Sequence, residues 1–69
     1  MEVDKSKIKE LYIDKDSKVF WLYKVFTTIP EIENERRQLY SEDYEIKILP
    51  ANVNNVKAFA IYRKKSKEV

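Results

Sequence analysis

No glycine occurs among the 69 residues of this chain. Glycine adopts positive φ at the least steric cost, so any tight reversal requiring it must fall to asparagine, aspartate or serine. The same absence excludes the phosphate-cradling P-loop, the dinucleotide-binding turn and the nucleophile elbow, each of which needs glycine at fixed spacing. Cysteine and histidine are missing as well. Without them the chain has no thiolate nucleophile, no disulfide, no side chain that titrates near neutrality and no usual structural zinc site. Aspartate, glutamate, lysine and tyrosine remain, but no spacing singles one out as an acid, base or nucleophile. The expectation is a non-catalytic chain without metal or cofactor.

One domain, 1–69, fits this length. An apolar share of 43%, with 13% aromatic, suits a packed core rather than a disordered tail. Small domains without disulfides or metals often gain stability by associating, which makes a homodimer an expectation too.

Two segments rich in branched and aromatic residues, Ile8–Ile13 and Val19–Phe26, flank the polar stretch Asp14-Lys15-Asp16-Ser17-Lys18. They read as a β-hairpin with a five-residue loop, although Ile8, Leu11 and Tyr12 also satisfy a short helical template. Residues 27–40 read as a helix. Thr28 and Glu31 have capping-box spacing, Pro30 stands in the first turn, and acidic Glu31, Glu33 and Glu35 precede Arg36 and Arg37. Ile29, Ile32, Leu39 and Tyr40 form an apolar stripe wide enough for one side of a sheet.

Tyr44-Glu45-Ile46-Lys47-Ile48 alternates as a half-buried strand does, and residues 56–63 supply another. A two-residue type I′ turn at Asn54-Asn55 sets Val53 opposite Val56, Ile48 opposite Ile61 and Ile46 opposite Arg63. Ile46, Ile48, Phe59 and Ile61 then share one face, with Lys47, Leu49, Ala58, Ala60 and Tyr62 on the other. Pro50 points to an edge strand. The fold class is α+β, a small antiparallel sheet in β-β-α-β-β order with one helix packed on one face. Residues 64–69 form a basic C-terminal tail.

The segment Val19–Phe26 is apolar on both sides under strict alternation, with Phe20, Leu22 and Phe26 on one and Val19, Trp21, Tyr23 and Val25 on the other. One helix covers one side, so Trp21, Tyr23 and Val25 are interface candidates for a second copy or another protein. Charge points elsewhere. Residues 19–43 carry three basic and five acidic groups, and residues 44–69 carry six and two. Lys47, Arg63, Lys64, Lys65 and Lys67 are therefore candidate phosphate contacts, with Tyr62, Trp21 and Tyr23 as candidate base-stacking rings. Arg36 and Arg37 suit an anion clamp, but Glu33 stands four residues before Arg37 as an ordinary surface pair would require. Asp14 and Asp16 lack the glycine and distal glutamate of a calcium loop.

The leading functional expectation is a nucleic-acid-associated accessory protein binding DNA or RNA. Its rival is a protein-interaction module, a homodimeric adaptor or an inhibitor of a host protein, acting through the aromatic sheet face. No apolar run approaches the ~20 residues of a membrane span, and MEVDKSKIKE has no signal-peptide pattern, so the expected setting is cytoplasmic. Abundant lysine, glutamate, isoleucine and tyrosine suggest a thermophile or an AT-rich genome, archaeal, bacterial or viral.

Overall fold

A computed structural model describes residue 6 and residues 8–66. Strand β1 is Leu11–Ile13, β2 is Val19–Phe26, the helix α1 is Ile29–Ser41, β3 is Tyr44–Val53 and β4 is Val56–Lys65. The strands form one antiparallel sheet in the order β1-β2-β4-β3, so the protein is a small α+β domain with its last strand at the centre. The first arm is a strand of three residues, shorter than the apolar segment around it. Lys64 and Lys65 belong to β4 rather than to a tail.

Four residues with positive φ stand where glycine would usually be found: Ser17, Asp43, Asn54 and Asn55. Asn54 (φ 51°) and Asn55 (φ 66°) turn β3 into β4, and Val53 pairs with Val56. The expected register holds along the hairpin, with Ile48 opposite Ile61 and Ile46 opposite Arg63, and Pro50 lies on the edge strand. In the loop before β2, one carboxylate oxygen of Asp14 accepts hydrogen bonds from the Asp16 and Lys18 amides, both at 2.9 Å. These bonds hold the Asp14 carboxyl below its ordinary pKa, the Lys18 amide contributing most. Asp43 ends the helix in the left-handed conformation, its amide donating to the Tyr40 carbonyl.

Beyond the start of α1 the helix differs from expectation in detail. Thr28 precedes it in extended conformation, but the Thr28 hydroxyl donates to the Glu31 carboxylate at 2.6 Å instead of capping the backbone. The helix runs on to Ser41, which places Arg36 and Arg37 in its middle and leaves no basic residue in its last turn. Glu33 pairs with Arg36, not with Arg37. Ile32 and Leu39 are buried, whereas Ile29 and Tyr40 are exposed.

The largest departure from strict alternation is in β2. Leu22 pairs with Tyr62 and Lys24 pairs with Ile61, so Tyr23 is an extra residue that the partner strand does not match. Such a bulge shifts the phase of every side chain after it. Val25, expected beside Trp21 and Tyr23, instead joins Phe20 and is fully buried, while Phe26 moves to the helix side with Tyr23.

Two apolar clusters result. On the helix side, Phe26, Ile32, Leu39 and Ile61 are packed with Tyr23, Tyr44, Ile46, Ile48 and Phe59. On the opposite side Phe20, Val25, Ala58, Ala60 and Tyr62 are buried without any helix, against Ile8, Tyr12, Leu22, Leu49 and Ala51. The chain encloses this second face by curling the sheet. Lys18, at the start of β2, reaches Glu45 of β3 at 3.6 Å although β4 lies between those strands, and residues of β1 share a groove with Leu49 of β3. Tyr12 packs its ring 6.1 Å from Phe20 and 6.0 Å from Tyr62. The cover expected from a partner across Val25 is thus provided by residues 8–12 and the curl itself.

Candidate functional site

Past the end of the sheet that α1 covers, the helix-side face carries a row of rings and cations. Arg63 is the cross-strand partner of Trp21 on β2 and of Ile46 on β3. Its guanidinium lies 4.0 Å from the ring centre of Tyr23 and 4.6 Å from that of Tyr44. The bulge is what makes this possible, because it sets Tyr23 on the helix side next to Trp21. Lys65, two residues along β4 and paired with Tyr44, places its ammonium 4.5 Å from the Tyr44 ring.

Rings on either side hold the guanidinium plane by cation–π attraction and leave its N–H edges available for hydrogen bonding. Among the described residues no carboxylate pairs with Arg63 or Lys65. Beside them Trp21 is 59% exposed, well above what an ordinary aromatic of a small core shows. The Trp21 side chain also borders a cleft lined by Ser6, Glu10 and Leu22, so one carboxylate lies on its rim. Farther along the hairpin Ile13 and Val19, directly paired, are exposed too.

The other candidates divide between faces. Lys47 and Lys64 lie on the opposite side of the sheet from Arg63 and Lys65, as two-residue alternation requires. The Lys47 ammonium stands 6.0 Å from the Phe20 ring, and that of Lys64 donates to the Lys65 carbonyl. Tyr62 is no stacking surface. Only 4% exposed, it packs in the second core, and its hydroxyl donates to the Lys9 carbonyl at 2.7 Å. Burial raises the pKa of its phenol. Val25, fully buried, offers nothing to a partner. Lys67 lies outside the described residues.

The feature that alternation alone missed is Tyr44. Its place in phase with Ile46 was already the signal that it faces Arg63. Elsewhere, Lys24 donates to Glu35 of the helix at 3.2 Å, and that carboxylate raises the lysine's pKa. Lys24 therefore ties the helix to β2 and is not available as a phosphate contact. Among the described residues no three carboxylates gather as a metal site would require, and no helix is long and apolar enough to cross a membrane. The chain matches no family model, and no curated protein or solved structure matches it significantly.

Proposed function

We propose that this chain is a non-catalytic nucleic-acid-binding protein whose contact surface is the row Trp21, Tyr23, Arg63, Tyr44 and Lys65. One observation carries the reading: a guanidinium seated between two tyrosines, without a carboxylate partner among the described residues, next to a tryptophan that is 59% exposed. An unpaired cation of fixed orientation suits a phosphate, and an exposed indole suits the face of a base. Lys65 adds a second charge within reach of the same rings. An intracellular setting and a thermophilic archaeal, bacterial or viral source belong to this proposal on composition alone.

Trp21 is the only tryptophan, so its fluorescence reports on the proposed surface and nowhere else. Titration with a mixed-sequence oligonucleotide at low salt should quench it saturably, and added salt should reverse the quenching. Arg63→Gln should weaken binding, whereas Glu10→Gln, which removes a like charge from the rim of the Trp21 cleft, should strengthen it several-fold. Absence of any saturable change with DNA or RNA at low salt defeats the reading.

The exposed pair Ile13 and Val19, on the same face as Trp21, supports the rival protein-interaction reading, with a second copy or a host protein as partner. A solution mass of twice 8.3 kDa that reverts on Ile13→Lys or Trp21→Ala would favour it.

A further inference from the structure

Resting on that reading, we infer that the ligand is a single strand and that duplex is discriminated against at this surface. Paired bases stack on one another and hide their faces, so an indole can stack only on a base that is unpaired. Trp21 is placed for that contact, exposed on the sheet between Leu11 of the edge strand and Arg63 of the central strand.

The count of charges points the same way. Proteins that grip duplex through its backbone neutralise about six to ten phosphates, and affinity then falls steeply with salt. This row offers two cations, Arg63 and Lys65, while Lys47 and Lys64 lie on the other side of the sheet. Two contacts give a logarithmic salt slope near −1.4 for a single strand and about −1.8 for duplex. Between 50 and 200 mM salt, a change of only about tenfold follows from either slope. So weak a backbone term leaves duplex with little to hold it. A single strand gains roughly tenfold or more from each base that stacks on a ring.

The bulge at Tyr23 gives the arrangement its specificity for one side of the sheet. Strict alternation would put Tyr23 in phase with Trp21 but leave Lys24 facing the second core. The extra residue instead lets Tyr23 flank Arg63 while Lys24 turns to Glu35. Arg63 is thereby fixed as an edge-on donor next to the stacking site.

Fluorescence anisotropy of labelled oligonucleotides tests the inference: one sequence as a single strand, the same sequence as a blunt duplex, and heparin as a competing polyanion. The expected result is a single strand at least tenfold tighter than duplex. Trp21→Ala should lower single-strand affinity about tenfold and leave duplex affinity within twofold, and Trp21→Phe should restore most of the loss. Arg63→Gln should weaken both ligands. Trp21 is exposed enough for its replacement to leave far-ultraviolet circular dichroism unchanged, which confirms that each variant is folded. Equal or tighter binding of duplex, still weakened by Arg63→Gln, overturns the single-strand inference and leaves the nucleic-acid reading standing. Binding of neither strand, or displacement by heparin with no effect of Trp21→Ala, overturns both. A chain that ignores oligonucleotides but self-associates through Ile13 and Trp21 belongs to the protein-interaction reading.

Discussion

The hydroxyl of Tyr62 joins the middle of the central strand to the segment before β1, through its 2.7 Å bond to the Lys9 carbonyl. Tyr62→Phe removes that bond and keeps the ring. Lys9 is exposed, so water can replace the lost donor, and the cost should fall at the lower end of a neutral hydrogen bond, about 0.5–1 kcal/mol. For a domain of this size each kcal/mol moves the melting temperature by about 4–8 °C, so the fall should be roughly 2–8 °C. Tyr62→Ala removes the ring as well. The ring is 4% exposed and packs on Tyr12, so the loss should approach the ~3–5 kcal/mol typical of aromatic deletions in cores. A 69-residue domain has a total stability of about 3–10 kcal/mol, and this variant should be largely unfolded at 37 °C. Burial raises the pKa of Tyr62, so the stability linked to its neutral form is complete below the ordinary phenol value and is lost as pH rises through the raised one. Alkaline destabilisation above about pH 10 should therefore be shallower in Tyr62→Phe. Thermal melts by circular dichroism from pH 7 to 11 give all three quantities. A Tyr62→Phe melt as low as that of Tyr62→Ala, or one identical to the parent at every pH, would refute the placement of the ring and its bond.

Asn55→Gly should raise stability by a few tenths of a kcal/mol, because relief of the left-handed backbone slightly exceeds the added freedom of the unfolded chain. Asn55→Val should lower it by about 1 kcal/mol or more, and parallel melts check both. Protonation of Asp14 should loosen the loop. Its pKa is held low, so its contribution is present above the ordinary value of about 4 and lost as pH falls through the lowered one. Amide exchange at Asp16 and Lys18 should accelerate there, and Asp14→Ala should show that faster exchange at neutral pH already; unchanged exchange in the variant would contradict the two 2.9 Å bonds.

The β3–β4 hairpin was legible in full because three independent local signals coincide: clean alternation, two asparagines at the reversal and a proline on the outer strand. The phase of β2 was not. Nothing in Val19–Phe26 marks Tyr23 as the unmatched residue, since a bulge is set by how Leu22 and Lys24 align with Tyr62 and Ile61 on a distant strand. The error about Val25 follows directly from that. Tyr62 was assigned to the correct face, but whether that face is open or closed depends on the curl, and curl arises from the whole sheet. The division of the basic residues was available from parity: Arg63 and Lys65 alternate with Tyr62 and Lys64. Grouping them by closeness in sequence obscured it. The capping pair at Thr28 and Glu31 marked the helix start correctly although their side chains bond to each other, because the spacing that permits one geometry permits the other.

Placing β4 between β2 and β3 also has a consequence for biosynthesis. Of the four strands, the ribosome makes this one last, yet both halves of the sheet must pair with it. Until Val56–Lys65 emerges, β1 and β2 can form only a marginal two-stranded ribbon, and β3 has no partner at all. Nascent chains stalled before that point should remain open to protease, and those released just beyond it should become resistant in a single step.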